Sequence, residues 1–161
     1  MNVRRVVICT GNGTARAPMA AELLKRWLKE KDSPIEVLTR GYVVQFPEPM
    51  NQKAEAVMAS DGITVDGFES RELKNEEITD KTLIFTMSEK QREQVLLRYP
   101  SAKEDNTFVL AYFVGEELET MNPYGAPLPT YGLCYETLKE TTRKLASKLQ
   151  SMEKEEEENE Q

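Results

Sequence analysis

The chain reads VVICTGNGTARAPM over residues 6–19, and this stretch decides the fold. Its β-branched beginning is typical of a buried strand. Gly11 and Gly13 come next and allow a tight turn, because glycine has no Cβ to obstruct it. Pro18 suits the first turn of a helix, where no backbone N–H is needed. The sequence therefore predicts a strand, a tight loop and a helix in direct succession.

Strands and helices keep alternating along the rest of the chain. The predicted strands cover residues 3–8, 35–39, 82–87 and 107–110. The predicted helices cover residues 19–28, 51–61, 88–99 and 138–152. Such alternation implies a parallel sheet covered on both faces. We therefore expect an α/β fold: a single domain with a four-stranded parallel sheet and helices on both faces.

The loop after the first strand carries residues suited to phosphate chemistry. Cys9 ends the strand, and a thiol near a helix N-terminus or a cation has a lowered pKa and becomes nucleophilic. The first N–H groups of the following helix form an anion site. Arg16 offers a planar fork that holds two phosphate oxygens. The alternative is that Cys9 is a small hydrophobic residue buried at a strand end, as most isolated cysteines are.

Four blocks of the sequence resemble the low-molecular-weight protein tyrosine phosphatases. The phosphate loop of that family reads Cys, five residues, Arg, Ser or Thr, followed by Pro-Met-Ala. The segment 9–20 resembles this loop, and the segments 68–73, 83–88 and 122–125 resemble three further family blocks in the same order. The resemblance extends from Val3 to about Leu149. It implies the same α/β fold and dephosphorylation through a cysteinyl-phosphate intermediate.

The resemblance also assigns site residues. It implies Cys9 as nucleophile, Arg16 as the phosphate-binding arginine and Asn122 at the position of the general acid. The phosphate-binding residues would be Thr10, Gly11, Asn12, Gly13, Thr14 and Ala15. Tyr42, Phe46 and Tyr124 would form the walls of a substrate pocket, although Phe46 fits an ordinary loop anchor equally well.

This chain departs from the family within the catalytic parts. Six residues separate Cys9 from Arg16 where the family has five, and Gly13 is the natural residue to bulge out. The usual second cysteine, serine, histidine and aspartate of the family are replaced by Ala15, Ala17, Phe68 and Asn122. An asparagine can donate a hydrogen bond but cannot give a proton to a leaving group. Glu116, Glu117 and Glu119 lie close enough in sequence to substitute, without a spacing that favours any of them.

Two functions remain open at this point. The first is dephosphorylation of phosphotyrosine or phosphoarginine at an impaired rate. The second is that of a pseudophosphatase, which binds a phosphorylated ligand or partner without turning it over. Thr14 is a weak indication of phosphoarginine, because family members that cleave it carry threonine after the Gly-Asn turn.

Composition limits the remaining possibilities. The formal net charge is −7, and most of it lies in residues 153–161, so the domain itself is nearly neutral. We expect a phosphatase-like domain over 1–152 and an acidic tail over 153–161, which is either disordered or a frayed helix end. Because the chain has no histidine, we expect no metal site, and we expect no cofactor. Because its two cysteines do not form a disulfide framework, we expect a cytoplasmic protein. The expected partners are a phosphorylated protein or small phosphomonoester, with inorganic phosphate or sulfate in the loop, and neither nucleic acid nor membrane.

Overall fold

The computed structural model describes residues 2–160, which form four strands and five α-helices. The strands are β1 (Arg5–Thr10), β2 (Glu36–Gly41), β3 (Thr82–Thr86) and β4 (Thr107–Val109). The helices are α1 (Arg16–Glu30), α2 (Gln52–Ser60), α3 (Glu89–Arg98), α4 (Leu110–Phe113) and α5 (Leu128–Glu160). A short 3₁₀ turn covers Asn75–Glu77.

All four strands are parallel and lie in the order β2-β1-β3-β4. The side chains of β1 alternate between two apolar cores. Val6 and Ile8 belong to the larger core with residues of α1 and α5, whereas Val7 and Cys9 belong to a smaller core with residues of α3. This alternation is the period of two that any strand imposes. The predicted single-domain fold, with its four-stranded parallel sheet between helices, is confirmed.

Side-chain caps fix the starts of two of the predicted helices. The Asn51 side chain accepts hydrogen bonds from the N–H groups of Lys53 and Ala54 at the start of α2. Ser88 accepts from the N–H of Gln91 at the start of α3. Loss of such a cap typically costs about 1 kcal/mol. Both caps lie close to the carboxyl ends of the strands, where ligands bind in this class of fold.

The structure differs from the sequence prediction at the C-terminus. Residues 153–160, predicted as a disordered tail or a frayed helix end, continue α5 as regular helix. Glutamate and lysine have high helix propensity, and extending an existing helix requires no new nucleus. Glu153 also pairs with Arg4 at 3.4 Å. Gln161 lies outside the described residues, and the domain boundary at residue 152 stays a prediction.

Two further differences concern the helices α4 and α5. The last helix begins at Leu128, ten residues before the first apolar position used to predict it, and α4 was not predicted. Within residues 2–160, the helices are too short or too polar for any of them to span a bilayer.

Candidate phosphate-binding site

The loop between β1 and α1 forms the candidate site. Strand β1 remains paired with β2 as far as Thr10, which lies opposite Gly41. Helix α1 begins at Arg16, and no side chain caps its N-terminus at Ala15. The first N–H groups of an uncapped helix are free to bind an anion. Residues 11–15 thus make the whole turn from strand to helix.

Glycine is required at two places where this loop meets the end of β2. Gly13 has a φ of +70°, and a Cβ there would lie 3.0 Å from the carbonyl carbon and oxygen of Arg40. A Cβ on Gly41 would lie 2.7 Å from the carbonyl carbon of Asn12. The positive φ at Gly13 agrees with the sequence prediction, but the residue is packed against β2 and does not bulge out of the loop.

Side chains of the loop bind its own backbone. Thr10 Oγ1 accepts a hydrogen bond from the Gly13 N–H at 3.1 Å. Asn12 Oδ1 accepts from both the N–H and the hydroxyl of Thr14, at 3.2 and 3.0 Å. These bonds stabilise the loop in a closed turn.

A cavity of about 270 Å³ opens beside this loop. The residues that line it come from the loop, from the α2 and α3 starts and from the segment before α5. They are Thr10, Gly11, Asn12, Thr14, Ala15, Arg16, Asn51, Gln91, Asn122, Pro123, Tyr124 and Tyr131. Six of the eight residues between positions 9 and 16 that the sequence assigns to the site therefore line one cavity.

Arg16 connects the loop to the segment that carries Asn122. Its Nη1 donates to the carbonyl oxygen of Thr120 at 3.0 Å and to that of Met121 at 3.4 Å. Burial lowers the pKa of the guanidinium from its ordinary value, while the nearby Glu119 opposes that change. Because an arginine carries five N–H donors in a planar fork, these two contacts leave donors for an anion in the cavity.

Cys9 does not line the cavity. Its side chain is fully buried on the face of β1 opposite Ile8, among apolar residues of the smaller core. Strand geometry is the physical reason, since successive side chains point to opposite faces of a sheet. The position of Cys9 therefore matches the alternative interpretation, a small hydrophobic residue at a strand end.

The electrostatic surroundings of Cys9 disfavour its thiolate. Burial raises the pKa of the Cys9 thiol to about 12, the effect of Arg40 being too weak to compensate. Arg40 is itself neutralised by Glu77, whose carboxylate oxygen lies 2.7 Å from Nη2. A reactive cysteine needs a lowered pKa and access to its ligand, and Cys9 has neither in this conformation.

Thr10, and not Cys9, is the residue of strand β1 that lines the cavity. Five residues separate Thr10 from Arg16, which is the family spacing between nucleophile and arginine. Thr10 lies on the same face of β1 as Ile8, is 5% exposed and lines the cavity. Cys9 and Thr10 therefore lie on opposite faces of β1, and only Thr10 reaches the cavity.

Asn122 and Tyr124 reach the cavity as the resemblance implies. Asn122 Oδ1 accepts a hydrogen bond from the Tyr124 N–H at 3.2 Å, and the Tyr124 ring is 82% exposed at the rim. Of the three glutamates considered as a replacement acid, none lines this cavity. Glu119 accepts from the Glu89 N–H at the start of α3, and Glu116 pairs with Lys144.

The other two predicted wall residues lie elsewhere. Tyr42 packs against the smaller core, with the Arg98 guanidinium 5.4 Å from its ring centre. Phe46 is 69% exposed and lines a neighbouring depression that shares only Asn12 with the cavity. Neither ring forms a wall of the cavity in this structure.

Four cavity residues were not assigned to the site from the sequence: Asn51, Gln91, Pro123 and Tyr131. Asn51 and Gln91 belong to the starts of two predicted helices, Pro123 follows Asn122 directly, and Tyr131 lies in the first turn of α5. Asn51 Nδ2 lies 3.4 Å from the Tyr131 hydroxyl, so these two form one side of the cavity. The caps could have signalled the site, because helix starts in this fold lie at the edge where ligands bind.

Comparison with known proteins identifies the family. The family model for low molecular weight phosphotyrosine protein phosphatases matches residues 4–157. A protein-arginine-phosphatase from Geobacillus stearothermophilus is 33% identical over 153 residues, which cover 94% of this chain and 99% of the relative.

Two solved structures support the same assignment. The structure of the arginine phosphatase YwlE from Geobacillus stearothermophilus has a TM-score of 0.82 and 30% identity, over 94% of this chain and 96% of its own. A low molecular weight protein tyrosine phosphatase from T. tengcongensis has a TM-score of 0.83 and 26% identity, over 89% and 98%. These relatives are protein phosphatases and support phosphatase chemistry for this fold. The chain belongs to the low molecular weight phosphotyrosine protein phosphatase family.

Proposed function

We propose that this protein binds a phosphorylated side chain in the cavity at residues 10–16, with hydrolysis strongly impaired. The observation that carries the proposal is that Thr10, and not Cys9, lines the cavity at the family distance from Arg16. A threonine hydroxyl stays protonated at neutral pH and is a weak nucleophile unless a base activates it. The binding parts of the site are kept while the attacking thiolate is absent from it.

The groups that would hold the phosphate are of three kinds. Arg16 supplies charged donors in a fork that matches phosphate oxygens. The uncapped N-terminus of α1 supplies backbone N–H groups and the positive end of a helix dipole. The glycine-rich loop brings its backbone close to the ligand. A phosphate-type anion therefore has matched partners here even without catalysis.

Impaired hydrolysis follows from two differences from the family, one at the attacking group and one at the group that protonates the leaving group. The first is the hydroxyl of Thr10 in place of a thiolate. The second is Asn122, which cannot give a proton to the leaving group. Loss of a positioned general acid alone typically costs about 10²–10⁴ in rate.

Among phosphorylated side chains, we favour phosphoarginine. The 33% identical relative is a protein-arginine-phosphatase. Thr14 stands two residues before Arg16, and family members that cleave phosphoarginine resemble this chain in carrying threonine there. Thr14 lines the cavity with its hydroxyl bonded to Asn12. Phosphotyrosine, the substrate named in the family description, is the other candidate ligand.

Slow turnover through Cys9 is the second candidate function. Family membership and the phosphatase relatives favour it. It requires Cys9 to leave the smaller core and enter the cavity, and therefore a change in the register of β1. The cytoplasmic location and the absence of nucleic-acid and membrane partners stay predictions in either case.

Binding and turnover can be tested separately. Calorimetry with inorganic phosphate should show binding that is lost in Arg16→Ala and kept in Arg98→Ala, an arginine outside the cavity. Hydrolysis of an aryl phosphate should be slow in the native chain and should rise in a Thr10→Cys, Asn122→Asp double variant. Binding that survives in Arg16→Ala would contradict the site. Native turnover that disappears in Cys9→Ala would favour the second candidate function.

A further inference from the structure

A second groove lies beside the segment that leads to Asn122. It has a volume of about 540 Å³, and residues 116–121 line it together with Thr137 and Glu140 of α5. Two of its apolar side chains are open to solvent, Leu118 at 82% and Met121 at 36%. Large apolar side chains that remain exposed at one place are typical of a surface that contacts another molecule.

The groove is also acidic. Four of its eight lining residues are glutamates, and none of the eight is a lysine or an arginine. Glu116 pairs with Lys144 and Glu140 pairs with Arg143. Within residues 2–160, the other two glutamates, at positions 117 and 119, form no ion pair. Apolar side chains next to unpaired carboxylates match a partner that carries both cationic and apolar side chains, and they repel an acidic partner.

The groove is continuous with the phosphate cavity. Thr120 and Met121 line the groove, and their carbonyl oxygens accept the hydrogen bonds from Arg16 at 3.0 and 3.4 Å. The next residue, Asn122, lines the cavity. A peptide segment that lies in the groove is therefore adjacent to a phosphorylated side chain in the cavity.

The Thr120 side chain has an unsatisfied polar group at this place. Thr120 is only 6% exposed, and its hydroxyl has no hydrogen-bond partner within residues 2–160. Buried hydroxyl groups in folded proteins normally have one. A turn of this side chain into the groove would let the hydroxyl bond to the backbone of a bound segment.

From these observations we propose that the acidic groove binds a basic, apolar segment of the same protein whose phosphorylated side chain occupies the cavity. The inference rests on the proposed function and deepens it by naming the partner. That partner is a protein with arginine or lysine and a large apolar side chain close to its phosphorylated residue, because a small phosphomonoester has nothing to place in the groove. Two linked contacts bind more tightly than either one alone.

Unphosphorylated peptides test the groove separately from the cavity. A short peptide of arginine and leucine should bind the native chain in calorimetry, and the same peptide with glutamate in place of arginine should not. The double variant Glu117→Lys, Leu118→Ser should weaken binding of the basic peptide at least about 10-fold, because a buried leucine contact and an ionic attraction are lost. Both side chains are exposed, so the variant should fold.

A matched variant on α3 controls for charge and exposed apolar area. Glu93→Lys, Leu97→Ser changes the net charge by the same amount and removes a leucine that is 81% exposed. It should bind the basic peptide like the native chain. Inorganic phosphate should bind both double variants with native affinity, since none of the four changed residues lines the cavity.

A phosphorylated peptide tests the link between groove and cavity. Phosphotyrosine serves as the probe, because its phosphate ester is more stable than the P–N bond of phosphoarginine. Joined to the basic peptide, it should bind about 10²-fold more tightly than when joined to the acidic peptide. The groove variant should lose most of that difference, and the α3 variant should keep it.

The following outcomes overturn the inference. Equal weakening in the groove variant and the α3 variant would show a general attraction to an acidic protein. Binding that is lost on deletion of 153–161 and kept in the groove variant would assign the peptide to the acidic end of α5. No binding of the basic peptide by a chain that binds inorganic phosphate would refute this inference and leave the proposed function intact. If inorganic phosphate does not bind either, both fail together.

Discussion

Alkylation of Cys9 tests the central geometric finding, that this thiol lies outside the cavity. Burial raises its pKa from the ordinary 9.0 to about 12, which lowers the thiolate fraction at neutral pH by about 10³-fold. Because the thiolate is the reacting species, alkylation by iodoacetamide should be slower than that of a free thiol by at least about the same factor. The rate is measured by mass spectrometry at pH 7, with peptide mapping to separate Cys9 from Cys134, whose pKa is also raised, to about 11.

A matched variant provides the positive control. The Cys9→Ala, Thr10→Cys double variant moves the thiol by one residue, from the core to the cavity. Its new cysteine should react faster than Cys9 by several orders of magnitude, and inorganic phosphate should slow that reaction. If native Cys9 reacts at the rate of a free thiol and phosphate protects it, the Cys9 side chain faces the cavity and not the smaller core, and Cys9 is the nucleophile of the cavity.

Three further predictions concern stability. Gly13→Ala should cost about 1–3 kcal/mol, because of the positive φ and the contact with β2. Gly62→Ala, with a similar φ of +78° in open space, should cost less, and equal losses in a thermal melt would exclude the contact as a cause. In Asp61→Asn the melting temperature should fall less than in the native protein as the pH is lowered into the acid range. The hydrogen bond from Tyr135 and the neighbouring cations hold the pKa of Asp61 below its ordinary value of 3.8. The ionised carboxylate therefore stabilises the folded protein above that pH, and this stabilisation is lost as the pH falls through the pKa of Asp61 in the folded protein. If the melting temperatures of the native protein and of Asp61→Asn fall by the same amount between about pH 5 and the pH of acid unfolding, this prediction is wrong. Deletion of 153–161 should leave the melting temperature nearly unchanged, since residues 157–160 are exposed; a large fall would show that the helix end packs more tightly than its contacts indicate.

Much of the fold could be predicted from the sequence because the local signals agree with one another. The β-branched strands, the caps at Asn51 and Ser88, and the strand-helix alternation all indicate the same parallel sheet. The predicted bounds of β1 were two residues too early, Val3 to Ile8 against Arg5–Thr10. In another part of the chain this shift would be unimportant. At β1 it decides which side chain enters the site.

The assignment of Cys9 shows why the site could be predicted only in part. The resemblance implies Cys9 as the nucleophile because the residue type matches the family loop, although the spacing from Cys9 to Arg16 is longer by one residue. In a strand, however, a displacement of one residue reverses the direction of the side chain. Six of the seven residues from Thr10 to Arg16 line one cavity, because residues that follow one another in a tight loop stay close together. Residues such as Tyr131, which reach the cavity from a distant helix, require the tertiary structure.

Burial of Cys9 also affects how the protein responds to oxidants. Thiols of low pKa that are open to solvent are the first to form sulfenic acid, and enzymes that depend on one lose activity when it oxidises. Here both cysteines are buried and both have raised pKa values. Hydrogen peroxide at concentrations that inactivate a thiol-dependent phosphatase should therefore leave this site able to bind its ligand. On the proposed function, recognition of phosphorylated side chains would therefore persist under oxidative conditions that inactivate a phosphatase dependent on an accessible thiolate.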